Sequence, residues 1–144
     1  MLVSQILATK GASGVMCVAP DAAVSDVVRL LSDKRIGAVV VSADGQVPVG
    51  ILSERDIVRE IGRRGAACLD DAAEAMMTAD PVTCTPDDHA DSVLRMMTEG
   101  RFRHLPVMEG GAMVGLISIG DVVKARLAEL AMEKDALEGM IMGH

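Results

Sequence analysis

The sequence has 144 residues, a net charge of −7 and 50% hydrophobic residues, a length that buries roughly 70% of its unfolded surface and needs no disulfide or metal to stand. The acidic balance excludes wrapping of duplex DNA, which depends on phosphate neutralisation, and one Phe with no Trp or Tyr leaves no stacking platform for single strands. The core must come from Val, Ile, Leu, Ala and 11 Met, the methionines acting as flexible filler in place of aromatics.

Taken in chain order, the opening MLVSQILATKG has no basic start and no sustained apolar core, so it is not read as a signal peptide. No apolar run approaches the ~20 residues of a membrane span, and a cytoplasmic protein is expected. VMCV (15–18) reads as a short strand ending at a Pro20-Asp21 helix start. Val24, Val27, Val28 and Leu31 then fall at i, i+3, i+4 and i+7, one apolar stripe of helical period. AVVV (38–41) and VGIL (49–52) read as a hairpin whose turn carries Asp44-Gly45, and a helix opens at Ser53. The pattern then begins again. VTCT (82–85) precedes Pro86-Asp87, and Val93, Met96 and Met97 repeat the stripe. HLPV (104–107) and MVGLI (113–117) flank Gly110-Gly111, and a second helix opens at Ser118. Cys17, Cys68 and Cys84 are odd in number with no C-x-x-C spacing, which speaks against a zinc knuckle or a disulfide framework.

The recurrence extends to residue identities. VGILSERDIVRE (49–60) returns as VGLISIGDVVKA (114–125), 65 residues later, and the segment 19–41 matches 85–107 at an offset of 66. SQILATKGASGV aligns with AEAMMTADPV when GAS is an insertion in the first copy. The expected fold is α+β: two tandem β-α-β-β-α repeats, 1–67 and 68–130, packed about a pseudo-twofold axis, with a helical extension at 131–144. About 60 residues make a poor core alone, and packing the copies together creates two related clefts, favoured places for ligands.

GILSERD (50–56) and GLISIGD (115–121) put a hydroxyl and a carboxylate three residues apart at a helix start. That spacing is a capping box, a purely local device. It also suits a nucleotide, because a carboxylate accepts two hydrogen bonds from a ribose diol and a helix N-terminus offers free N–H groups to phosphate. With the repeat, the doubled G-h-h-[ST]-x-x-D signature and GRFRHLPV (100–107), nearly the whole chain resembles the CBS-domain pair, or Bateman module.

That resemblance implies regulation through adenosine-containing ligands (AMP, ADP, ATP, NAD(H) or S-adenosylmethionine) held between the repeats. By motif position it assigns Asp56 and Asp121 to the ribose and Ser53 and Ser118 to ribose or phosphate. Arg55, Arg59, Arg101, Arg103 and Lys124 are candidates for the anion, while Arg63 reads as part of a solvated face. His104 and Pro106 belong to the same candidate site. Gly120, beside Asp121, leaves backbone accessible, so the Asp121 site is expected to be the better formed. The first copy has RIGAVVV and no Pro where the second has RFRHLPV.

No Ser-His-Asp order, H-E-x-x-H, P-loop or G-x-G-x-x-G appears, so neither an enzyme nor a metal cofactor is expected. His89 reads as surface and His144 as an uninformative end. Val123, Leu127, Leu130, Lys134, Leu137 and Ile141 continue the last helix as an apolar stripe interrupted by Lys134, a face expected to pack against a second subunit or to fold back on its own chain; the resemblance implies a homodimer. Any regulated enzyme or transporter is then a separate protein. The alternative is an interaction and dimerisation module with vestigial nucleotide clefts.

Overall fold

The computed structural model describes residues 1–11 and 14–142; Ala12 and Ser13 of the GAS insertion, and His144, lie outside the described residues. In the first copy β1 (Cys17–Val18), α2 (Val24–Lys34), β2 (Ala38–Val41), β3 (Gly50–Ser53) and α3 (Glu54–Arg64) follow a leading helix, α1 (Val3–Lys10). A 3-10 turn (Ala66–Asp70) leads to the second copy. There α4 (Ala73–Met76) and β4 (Thr78–Ala79) precede α5 (Ala90–Gly100), β5 (His104–Glu109), β6 (Ala112–Ser118) and α6 (Ile119–Ile141). The two leading helices are additions to the expected β-α-β-β-α order.

The stripes seat the helices as their spacing requires. Val24, Val27 and Leu31 are buried against Val39, Val41 and Leu52, while Val93 and Met97 are buried against Leu105, Val107 and Ile117. Gly110 and Gly111, both at positive φ, close the second hairpin in two residues. The first hairpin has a longer loop, in which Asp44 Oδ1 accepts from the Gln46 and Val47 amides at 2.8 and 2.9 Å.

The first sheet has the order β1-β2-β3-β4, with β1 parallel to β2 and the other pairs antiparallel. In the second copy β5 and β6 pair antiparallel, and the leading strand is reduced to one parallel bridge, Cys84 to Val107. Pro106 explains the loss. Its counterpart Val40 donates its amide to the Met16 carbonyl at 3.0 Å, whereas proline has no N–H to give. The Pro106 carbonyl still accepts from Cys84 at 3.0 Å. Pro106 is a buried strand residue and is not among the residues lining the two clefts.

Packing cuts the chain differently from the sequence repeat. Val3 and Ile6 of α1 belong to the core built by the second copy, and Ala73 and Met76 of α4 belong to the core built by the first. The exchange is symmetric in its hydrogen bonds. Val3 donates to Asp88 O and Ala90 to Met1 O, both at 2.9 Å. In the other half Ala73 donates to Ala22 O at 2.7 Å and Val24 to Asp71 O at 2.9 Å. Each folded half borrows its leading helix from the other copy.

This exchange accounts for the glycine of each V-G-[IL] motif. A Cβ on Gly115 would lie 2.7 Å from a Leu7 methyl of α1, and one on Gly50 would meet the Met77 sulfur and lie 2.9 Å from the Thr78 carbonyl oxygen. Overpacking of this kind costs about 1–3 kcal/mol. Gly50→Ala is expected to destabilise more than Gly115→Ala, because a backbone oxygen yields less readily than a leucine methyl. Urea unfolding of the two variants checks the order.

Candidate ligand-binding clefts

Ser53 and Ser118 are the N-caps of α3 and α6. Ser53 Oγ accepts from the Asp56 amide at 3.3 Å, and Ser118 Oγ from the Asp121 amide at 3.1 Å. Each aspartate returns the bond, its Oδ2 accepting from the serine amide at 3.0 and 2.9 Å. Both capping boxes are therefore real, and both open onto a cleft.

The first cleft, about 900 Å³, is lined by the α3 start with Ser53, Arg55, Asp56 and Arg59, by the linker 78–82, and by Arg101, Phe102, Arg103 and His104. The second, about 450 Å³, is lined by Ser118 and Asp121 of the α6 start, by Lys10 and 14–16, and by Arg35–Ala38. Both volumes lie within the roughly 300–1,000 Å³ of small-ligand pockets. Arg35 and Arg101 occupy equivalent left-handed caps after α2 and α5, at φ 54° and 59°. Such positions normally favour glycine or asparagine. The turn sets each arginine on the rim of a different cleft.

The carboxylates are held differently. Asp56 is buried; its Oδ2 also accepts from Ser53 Oγ at 2.9 Å, and its Oδ1 from Arg59 at 2.8 Å. Asp121 Oδ2 accepts from Lys10 Nζ at 2.8 Å, while Oδ1 has no hydrogen bond among the described residues. Burial pushes the Asp121 carboxyl up, but the Lys10 and Ser118 hydrogen bonds outweigh it and hold the group below its ordinary range. Lys10 also donates to Leu116 O at 2.8 Å.

His104 lines both clefts from the first position of β5, opposite Ser118. Burial is the main influence on its imidazole and pushes its pKa below the ordinary value; Lys10 and Arg103 add to this, while Asp121 and Glu54 oppose it. It is a neutral hydrogen-bonding group at pH 7.

The structure thus brings Ser53, Arg55, Asp56, Arg59, Arg101, Arg103, His104 and Ser118 to the first cleft, and His104, Ser118 and Asp121 to the second. Gly120 is exposed and is not among the residues lining these two clefts. Lys124 also lines neither, and Arg63 is engaged with Glu60 at 2.7 Å on the surface. The expected advantage of the Asp121 site is divided. That carboxylate keeps an open oxygen, but its cleft is the smaller and has fewer arginines. Lys10 and Arg35 escaped sequence reasoning because nothing local marks them: exchange of α1 delivers the first, and a left-handed cap the second. Among the described residues no cluster of His, Cys, Asp or Glu could hold a metal ion, and no helix is long and apolar enough to cross a membrane.

A duplicated helix start facing a cleft between exchanged halves is the arrangement that the resemblance to a CBS pair leads one to expect. The chain belongs to the CBS domain family, whose model matches residues 3–63 and 72–128, once per copy. It is 33% identical over 98% of its length to the mitochondrial CBS domain-containing protein CBSX3 of Arabidopsis thaliana, covering 72% of that protein. A CBS-domain protein of Agrobacterium tumefaciens superposes at TM-score 0.82 with 44% identity, over 88% of this chain and 99% of the other. A CBS domain protein of Pyrobaculum aerophilum complexed with AMP superposes at 0.76 with 28% identity, over 92% and 99%.

The state of His104 has a consequence with a definite sign. Its folded pKa lies below the unfolded 6.5, so as pH falls through about 6.5 the unfolded chain takes up a proton first and stability is lost until the folded pKa is passed. His104→Gln is expected to flatten this loss between pH 7 and 5, measured as urea midpoints across that range.

Proposed function

We propose that the protein is a regulatory sensor, not an enzyme, which binds an adenosine-containing nucleotide in its inter-repeat clefts and transmits occupancy to a separate partner protein. The observation that carries this reading is the doubled Ser-x-x-Asp helix start, each copy opening onto a cleft with cationic side chains on its walls. The AMP complex of the Pyrobaculum aerophilum relative supports the ligand class.

In the first cleft the ribose diol takes Asp56 Oδ1 in place of Arg59. The exposed Arg59 guanidinium is then released toward the phosphates, beside Arg55, Arg101 and Arg103. The larger volume and greater number of arginines suit ADP, ATP or NAD(H). In the second cleft Asp121 offers Oδ1 to the diol while Lys10 and Arg35 supply the positive charge, an arrangement suited to AMP. Because each cleft wall includes residues from both copies, a ligand favours one mutual arrangement of the halves over another. That differential affinity is what a partner can read. The acting form is a homodimer. Three unpaired cysteines support a reducing compartment such as the cytoplasm.

One observation favours the alternative of an interaction module with vestigial clefts: Asp56 is already satisfied by Ser53 and Arg59. Thermal shift and calorimetry with AMP, ADP, ATP, NAD(H) and S-adenosylmethionine separate the two. At least one nucleotide is expected to raise the melting temperature of the wild type. Asp56→Ala and Asp121→Ala are each expected to weaken binding in their own cleft by about 10- to 100-fold, the value of one or two charge-assisted hydrogen bonds. A panel without any stabilisation, or variants that bind as the wild type does, would overturn the nucleotide reading.

A further inference from the structure

The C-terminal part of α6 is the largest apolar feature that the clefts and the cores leave unused. Only Val122 and Ala125 of this helix are buried. Val123, Leu127, Leu130, Leu137 and Ile141 are 40%, 63%, 48%, 59% and 84% exposed, so the stripe anticipated from sequence covers nothing on its own chain. With Lys134 these positions are spaced alternately by four and three residues. A repeat of 3.5 is the seam of a coiled coil, not the broader face of a helix docked on a globular core.

The charges beside the seam decide the orientation. In a parallel pair Lys134 would face Lys134 of the second copy, and Glu133 would flank Glu138 on both sides, with no attractive pair in compensation. Reversing one helix about Met132 removes these clashes. Leu127 then faces Leu137, Leu130 faces Lys134, Val123 faces Ile141, and Lys124 meets Glu138 on both flanks. The two Glu133 carboxylates approach each other at the centre, where the two Lys134 side chains neutralise them. The existing Lys134–Glu138 contact is exposed and long, at 3.8 Å, and offers little resistance to this rearrangement. A stripe complementary to its own reverse is what a twofold interface requires, because the same patch serves both partners.

We propose that α6 pairs antiparallel with α6 of a second copy of this chain, through the seam from Val123 to Ile141. The seam is short for a free-standing coiled coil. The antiparallel arrangement answers this by laying the distal end of each helix, at Ile141, beside Val123 of the partner, where α6 is still anchored to its own folded body. The inference rests on the homodimer reading and is independent of nucleotide.

Light scattering and thiol cross-linking test it on the full chain. Wild type is expected at twice the monomer mass and Leu137→Glu at the monomer mass, with an unchanged circular dichroism spectrum because Leu137 is exposed in the monomer. In a Cys17→Ser background, Leu127→Cys protein and Leu137→Cys protein are each expected to stay uncross-linked alone and to form a disulfide dimer once mixed and exchanged. A monomeric wild type would overturn both this inference and the homodimer reading. A Leu137→Glu protein that remains dimeric would overturn the inference alone. Leu127→Cys cross-linking to itself would overturn the antiparallel orientation.

Discussion

The structure depends on an exchange: each half of the molecule is closed by a helix that the sequence repeat places in the other half. α1 seals the core beneath β5 and β6, and α4 seals the core beneath β2 and β3. A repeat of about 60 residues buries too little apolar surface to offset its lost conformational entropy. Trading helices makes two insufficient cores into one cooperative unit. The close approach also explains why Gly50 and Gly115 carry no side chain, since each lies directly under a borrowed segment.

The same exchange places charge in the clefts. Lys10, the last residue of α1, meets Asp121 beside the second cleft; the aligned position in the first cleft is Ala79, which has no cation to offer. In that cleft the carboxylate is instead met from its own helix by Arg59. Lys124, the counterpart of Arg59, lines neither cleft. Arg55 of the first copy likewise has Gly120 as its counterpart in the second. The clefts are thus related in backbone and different in charge.

Ser53 and Asp56, like Ser118 and Asp121, serve as helix caps whether or not anything is bound. The cap holds each carboxylate in place at the cleft wall, and in the proposed function this preorganisation would lower the ordering cost of binding. Local capping and ligand recognition are therefore compatible uses of one helix end. α6 divides along its length instead: the first turns carry the cap and pack on the body, and the later turns leave their apolar side chains exposed.

Much was legible in the residues themselves. The doubled pattern, the apolar stripes, the Gly110-Gly111 turn and the two capping boxes are matters of spacing along one chain, where local geometry relates residues to their near neighbours. The α+β class and the equivalence of the two Ser-Asp sites follow from them. What lies far apart in sequence was decided by tertiary structure. No local signal says that α1 leaves its own copy, that Lys10 meets Asp121 across 111 residues, or that the cleft around Asp56 is the larger. Pro106 and Gly120 show the converse. Both sit within motifs that carry the resemblance, yet Pro106 shortens a strand ladder and Gly120 is exposed outside the lining of the two clefts. A motif determines which backbone turn is made; only the packing of the two halves determines which side chains that turn delivers to the cleft.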